Sequence, residues 1–224
     1  MSYPANTEPD ESADSWAREA ETQVLGEALK LAPATGWTWR TAYAAGAAAG
    51  FGKGETELLL PAGPRDLAAL WSRACDRAAL AALADVDPRG LKIRERIRRG
   101  ALARIEAAMA HEAATRRWAG YLALPGNAPL AMRLVWESAD VIWHWAGDTA
   151  TDANHYSKRA LLAGILTSTL LVRLADGEAA AATHLDRRID NVMTFERLKG
   201  RFGKLKTGEW TAGVAGRLRY GLRL

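Results

Sequence analysis

The sequence lacks the features of a disulfide-stabilised or membrane-spanning protein. It has one cysteine among 224 residues, so no intrachain disulfide can form, and Cys75 in an alanine-rich stretch is expected to be a small buried side chain. The apolar run 160–174 contains four polar residues and is shorter than the roughly 18 to 20 residues that cross a bilayer. We therefore predict a reducing compartment and interpret this run as a buried helix.

Basic charge is almost absent from the N-terminal segment. The first 21 residues contain six acidic side chains against one arginine, and they include no apolar core segment. Neither a secretory signal nor a basic organelle presequence has this composition. We expect residues 1–14 to be a disordered acidic leader and the protein to be a cytoplasmic one, of bacterial origin.

The sequence also lacks the alternating β-branched runs that form strands. Alanine-, leucine- and arginine-rich segments at helical spacing fill most of it, so we predict an all-α fold. A first helix is expected at 15–32, ending at Pro33, and a second from 36–38 that the glycine-rich stretch 50–54 interrupts. Further helices are expected from Pro64, from Asp87 to about Trp118, and after 125–127.

The most polar stretch between apolar helices lies at 143–159. The helix before it is apolar around most of its circumference, which predicts a position in the interior. Gly147 is expected to end that helix, and Thr151 or Asp152 to cap the next one. This stretch is therefore predicted to form a corner between two core helices.

Catalytic motifs are missing as well. No glycine-rich phosphate loop follows a strand, and no nucleophile elbow or His-Glu-x-x-His pattern occurs. His144, Asp148, Asp152 and His155 are spaced as metal ligands on one continuous helix would be. Because Gly147 is expected to break that helix, we favour a solvated polar corner without a metal, and a metalloenzyme stays the alternative.

The first sixty residues have the outline of a helix-turn-helix. A recognition helix needs basic and polar side chains, whereas residues 41–51 are almost wholly alanine, glycine and aromatic. We therefore expect a structural module that binds no nucleic acid. A ligand-responsive transcriptional regulator of the tetracycline-repressor type is kept as the alternative function.

The C-terminal segment is strongly basic. From Arg187 onward ten basic residues face three acidic ones, and apolar residues recur every four positions from Trp210 to Leu222. Such a stripe is typical of an interfacial helix that binds an anionic membrane, and equally of a helix packed on the protein body. The candidate membrane-binding residues are Trp210, Val214, Arg217, Leu218, Arg219 and Leu222.

Tryptophan is abundant, with nine in the chain. Large aromatic side chains line apolar ligand cavities, although they more often fill a core. Several of the nine fall on the predicted central helices, together with two methionines: Trp118, Trp136, Trp143, Trp145, Met109 and Met132. The lipid-pocket candidates are Trp118, Leu122, Met132, Trp136, Trp143, Leu162 and Ile165.

The corner motif carries a family resemblance. Its sequence Trp-His-Trp-Ala-Gly-Asp-Thr-Ala-Thr-Asp-Ala-Asn-His-Tyr-Ser-Lys-Arg, preceded by Leu-Pro-Gly-Asn-Ala-Pro at 124–129, resembles the signature of the ninth coenzyme Q biosynthesis protein family. The resemblance extends upstream through 36–38 and 45–59 and downstream through 187–193. It therefore covers nearly all of the chain after the acidic leader.

This resemblance implies a fold similar to the tetracycline-repressor family and a non-catalytic role. It implies a vestigial helix-turn-helix (15–63), a helical lipid-binding and dimerisation domain (64–199), and a membrane-binding helix (200–224). Members bind isoprenoid lipids, dimerise, associate with membranes and present quinone intermediates to the demethoxyubiquinone hydroxylase. We accordingly expect a homodimer without cofactors, peripheral on the inner face of a bacterial plasma membrane. The resemblance assigns partner binding to Asp152, Asn154, His155, Tyr156 and Arg159, with His155 where eukaryotic relatives often have tryptophan.

Overall fold

The computed structural model describes residues 11–149 and 153–192. Its helices are α1 (Glu11–Thr35), α2 (Trp39–Ala48), α3 (Lys53–Leu59), α4 (Pro64–Ala82), α5 (Ile93–Met109), α6 (Glu112–Leu122), α7 (Ala128–Trp145), α8 (Ala153–Asp176) and α9 (178–192). No strand occurs in either described range, which confirms the all-α prediction. The predicted membrane-binding residues and most of the acidic leader lie outside these ranges.

The first three helices pack against one another, and we call them the N-terminal unit. Thr38 caps α2, because its hydroxyl accepts a hydrogen bond from the Thr41 backbone amide at 3.2 Å. The unit shares one apolar core with later helices, in which Val24 and Trp37 pack in the same cluster as Trp71 and Leu134. The helix-turn-helix outline is thus held against the rest of the protein by a common core.

Two helix boundaries differ from the prediction at the ends of α1. The helix begins at Glu11 and continues through Pro33 to Thr35. An acidic sequence interacts favourably with the positive end of a helix macrodipole, which suits the earlier start. At the other end, the Gly36 amide donates to the Ala32 carbonyl at 2.9 Å and Gly36 has a φ of +70°, so this residue, rather than Pro33, ends the helix.

The predicted long helix from Asp87 to Trp118 is wrong. Asp87 caps only a 3-10 turn, Pro88–Gly90, through the Arg89 amide at 2.9 Å. The chain then forms α5 and α6, which are separated near His111. The Thr115 hydroxyl donates to the Ala108 carbonyl at 2.7 Å across the break. The break lets α6 pack against α1, a tertiary effect that local propensity does not reveal.

A second apolar cluster lies where α5, α7, α8 and α9 meet. It contains Ile97, Ile142, Leu162 and Leu185, all buried. A Cβ added to Gly100 would lie 2.6 Å from Ile142 Cγ2, so α5 and α7 approach closely only because this residue is glycine. None of the helices in the described ranges is long and apolar enough to span a membrane.

Candidate functional site

An apolar cavity lies between α4, α5, α6, α7 and α8, and we call it the central cavity. Its volume is about 220 Å³. The lining residues are Ser72, Arg104, Ile105, Trp118, Ala119, Leu122, Ala123, Ala131, Val135, Ser138, Leu166, Thr167, Leu170 and Leu171. Trp118 Nε1 donates to the Ala68 carbonyl at 3.0 Å, so its hydrogen-bonding need is met within the protein. Two lipid-pocket candidates, Trp118 and Leu122, therefore line an apolar pocket that can receive a ligand group and is partly open to solvent, where Leu171 is 55% exposed.

The few polar groups of the central cavity come from neighbouring helices. Arg104 on α5 pairs with Asp76 on α4, and its Nη2 donates to Ser72 Oγ at 3.1 Å. Asp76 is 6% exposed and Arg104 is 7% exposed. Ser138 on α7 is also buried. Sequence reasoning missed this group, although Arg104 falls among the buried positions Ala101, Ile105 and Ala108, which is unusual for an arginine.

A second cavity, the corner cavity, lies beside the turn between α7 and α8. Its volume is about 320 Å³. Three lipid-pocket candidates, Trp143, Leu162 and Ile165, line it together with Ile97 and Ile189. Arg96, Asp148 and Lys158 add charge to its wall. The two cavities thus differ in chemistry, because only the corner cavity has several charged side chains.

The remaining lipid-pocket candidates line neither cavity. Met132 is 72% exposed. Trp136 is half-buried, and its ring centroid lies 6.1 Å from that of Tyr156. Both residues therefore belong to the outer surface of α7, on the side of the Tyr156 ring.

The corner itself is a charged network built around one buried arginine. Gly147 has a φ of +84° and ends α7, as predicted. Arg159 pairs with Asp140 before the turn, and its Nη1 lies 3.0 Å from Asp148 Oδ2 after it. Lys158 Nζ lies 2.6 Å from Asp148 Oδ1. Opposite charges on both helices therefore fix the direction in which α8 leaves the turn.

Of the predicted partner-binding residues, Tyr156 and His155 are accessible. Tyr156 is 65% exposed and His155 is half-buried, with their ring centroids 5.2 Å apart. Arg159 is a correction, because it is 1% exposed and its guanidinium binds Asp140 and Asp148 instead of facing outward. Asp152 lies outside the described ranges, and of Asn154 only the backbone, within α8, is described.

The alternative metal cluster is divided by the corner. His144 Nδ1 lies 3.2 Å from Asp140 Oδ2. The Asp148 carboxylate binds Lys158 and Arg159, two cations that compete with a metal ion for it. Within 11–149 and 153–192, no three His, Cys, Asp or Glu side chains come together as metal ligands.

The N-terminal unit presents acidic groups beside its few basic ones. Lys53, at the start of α3, lies 3.9 Å from Glu57, and the Tyr43 hydroxyl donates to Glu57 at 2.8 Å. Glu55 accepts from the Gly52 amide at the helix start. Carboxylates at these positions are unfavourable for contact with phosphates.

Comparison with known proteins relates this chain to one family. The COQ9 family model matches residues 128–196, which include α7, the corner and α8. The human ubiquinone biosynthesis protein COQ9, mitochondrial, is 30% identical over 176 residues, which cover 74% of this chain and 55% of the human protein. COQ9-A of Xenopus laevis is 41% identical over 78 residues, covering 34% and 25%, and COQ9 of Rattus norvegicus is 41% identical over 75 residues, covering 32% and 24%. The matches therefore span from about a quarter to about half of the length of these relatives.

The comparisons contradict the predicted location. The relatives from human, rat and frog are named mitochondrial proteins of eukaryotes. The expectation of a bacterial cytoplasmic protein rested on the composition of the N-terminal segment, and its place at the inner face of the plasma membrane rested on the family resemblance. This predicted location is wrong.

Proposed function

Because this chain belongs to the COQ9 family of ubiquinone biosynthesis proteins, we propose that it is a lipid-binding accessory protein of that pathway. It holds an isoprenoid quinone intermediate in the central cavity and presents it to the demethoxyubiquinone hydroxylase, which performs the chemistry. The observation that carries this proposal is the apolar central cavity, lined by Trp118, Leu122 and Leu166, inside a helical member of this family.

The physical need for such a protein follows from the solubility of the substrate. Burying apolar surface is favourable by about 25 cal/mol per Å². A polyprenyl quinone therefore leaves a bilayer readily only if another apolar environment receives it. The central cavity provides such an environment, because its lining is mostly apolar and includes the buried side chains of Ile105, Trp118, Leu122 and Leu166.

The outer surface of the corner supplies the contact for the hydroxylase. Tyr156 is exposed, and the rings of His155 and Trp136 lie beside it. Exposed aromatic side chains are enriched where proteins bind one another. Arg159 serves this surface indirectly, because its ion pairs with Asp140 and Asp148 hold the first turn of α8 in place.

Membrane association and dimerisation complete the proposal. Residues 210–222 combine an apolar stripe with basic side chains. This composition supports binding to an anionic membrane surface. Homodimer formation is supported by the family resemblance. Gel filtration of the full chain and liposome flotation of a Trp210→Ser, Leu218→Ser variant test these two points separately.

The lipid-binding part is tested by filling the cavity. Ala131 lines the central cavity, whereas the next residue, Met132, points to solvent. We expect Ala131→Phe to reduce the isoprenoid lipid that copurifies with the protein, as measured by mass spectrometry, while Met132→Phe retains it. In cells that depend on this protein, Ala131→Phe should accumulate demethoxyubiquinone. Equal lipid content in both variants would contradict the proposal.

The partner contact is tested at the corner surface. Tyr156→Ala should weaken capture of the purified hydroxylase by at least about ten-fold, because exposed tyrosines are frequent hot spots of protein interfaces. Leu58→Ala, at an 82% exposed position on α3, is the control and should bind normally. Lipid content should be unchanged in both variants, which separates partner binding from cavity function.

A further inference from the structure

One wall of the central cavity carries a buried polar group in otherwise apolar surroundings. We propose that Arg104, Ser72 and Ser138 anchor the head of the bound lipid, and that this head is uncharged. The inference rests on the proposed lipid-binding function and adds the residues that hold the head group and exclude a charged one. It assigns specificity to residues on α4, α5 and α7 that lie away from the corner surface.

Arg104 is already neutralised within the protein. Its guanidinium pairs with the Asp76 carboxylate, and both side chains are 8% exposed. A second anion in the cavity would leave one negative charge without a cation in a low-dielectric space. Such a charge is expensive to bury. The pair therefore disfavours a carboxylate or phosphate head, while the guanidinium and hydroxyl dipoles favour a neutral oxygen acceptor.

The Ser138 hydroxyl is available to a ligand. Ser138 is 3% exposed and lines the cavity, and its hydroxyl makes no hydrogen bond to any residue that the structure describes. The enclosed side-chain oxygen without a partner in these residues is that of Thr169, so the Ser138 oxygen opens onto cavity space. In apolar surroundings, a hydroxyl without a protein partner gains from a ligand atom that hydrogen-bonds to it. A carbonyl, ether or hydroxyl oxygen of a lipid head would satisfy it.

Thr167 provides a contrast within the same cavity. It also lines the central cavity, but its hydroxyl donates to the Ala163 carbonyl at 2.9 Å along α8. Because this hydroxyl already donates a hydrogen bond within the helix, it needs no ligand to accept one. A ligand head therefore gains more from Ser138 than from Thr167.

The experiment compares two lipids that share a chain and differ in the head. Farnesol is neutral, and farnesoate is a carboxylate at pH 8. Their affinities for the full-length protein are measured by displacement of Nile red. The wild type should bind farnesol at least about ten-fold more tightly, since burying an unpaired charge costs more than burying a hydroxyl. A preference of this size would not arise from the apolar chain, which is identical in the two probes.

Three variants locate the effect. Ser138→Ala should bind farnesol about five-fold more weakly, because one neutral hydrogen bond contributes about that much to binding. Thr167→Val should bind farnesol as the wild type does. Asp76→Asn leaves Arg104 without its carboxylate and should shift the preference toward farnesoate by at least about ten-fold. If Asp76→Asn fails to fold, the serine and threonine variants decide the question.

The outcomes separate this inference from the function on which it rests. Equal affinities for farnesol and farnesoate, or a Ser138→Ala variant that binds farnesol like the wild type, would overturn the anchor while leaving lipid binding intact. Failure of both lipids to displace Nile red from the wild type would overturn the proposed lipid-binding function itself.

Discussion

Among the residues that the structure describes, two arginines are buried, and their surroundings differ. Arg104 on α5 has one carboxylate partner, Asp76, and faces the central cavity. Arg159 on α8 has two, Asp140 and Asp148, on either side of the turn at Gly147. Both guanidiniums join neighbouring helices through ion pairs.

The number of partners separates the roles of the two arginines. Arg159 is surrounded by carboxylates and a backbone carbonyl, that of His155 at 3.3 Å, and it fixes the corner. Arg104 combines one carboxylate with a serine hydroxyl at the edge of an apolar space. A buried ion pair is weak evidence for stability as such, so what it orients matters more. Here one arginine positions the corner surface and the other lines the central cavity.

The largest effect is expected when Arg104 loses its charge. Arg104→Met would leave Asp76 buried without a cation, and it should lower the free energy of unfolding by about 3–5 kcal/mol. Arg99→Met is the control on the same helix. Its partner Glu95 is partly exposed, so the change should stay within about 0.5 kcal/mol. Urea denaturation measures the free energy of unfolding of both variants. Similar losses would mean that the buried and the exposed arginine of α5 contribute equally, which would contradict this prediction.

A smaller loss is expected at the corner. Arg159→Met should destabilise by about 2–3 kcal/mol, because Asp148 keeps Lys158 and Asp140 is partly exposed. The proposed function predicts that the same variant loses capture of the hydroxylase but still takes up lipid. If Arg159→Met bound the hydroxylase normally, the corner network would have no positioning role.

The turn between the helices provides a weaker perturbation of the same surface. Gly147→Ala forces a side chain into a left-handed conformation, which costs about 1–2 kcal/mol. Gly120→Ala on α6 has no atom within 4 Å of the added Cβ and should instead stabilise by about 0.5–1 kcal/mol. Thermal unfolding of the two variants should therefore shift in opposite directions.

The smallest effect is expected on the chemical reactivity of Cys75, the one thiol of the chain. This thiol reports on the surroundings of Arg104 because Asp76, the partner of Arg104, is the next residue. Cys75 is buried, as predicted, and burial raises its pKa to about 12. Iodoacetamide at pH 8 should therefore leave it unmodified in the wild type, as intact mass shows. Arg104→Met should accelerate the labelling more than Arg159→Met, because Cys75 adjoins Asp76. Equal acceleration would mean that the two regions open together.

Local chemistry made some features predictable, while distant partners decided the others. Gly147 ends α7 as expected, since a glycine with positive φ is a common helix terminus. Asp87 and Pro88 do start a turn, as their residue types indicate. The break between α5 and α6 was not predictable locally, because α6 makes contacts with residues far away in sequence: the Trp71 indole, for example, donates to the Thr115 hydroxyl at 3.2 Å. The burial of Arg104 and Arg159 depends on partners 28 and 19 positions away. The family resemblance assigned Arg159 to partner binding, and it could not show that two carboxylates hold this side chain in the interior.

The tryptophan indoles give the protein a set of spectroscopic markers at its helix contacts. Trp37 Nε1 donates to Ala114, Trp118 Nε1 to Ala68, and Trp143 Nε1 to Lys158, each across a different joint of the fold. In a proton–nitrogen NMR spectrum, indole signals are resolved from the backbone. The rate of hydrogen exchange at each indole would report whether the N-terminal unit, the central cavity or the corner opens, without a chemical probe attached to the protein.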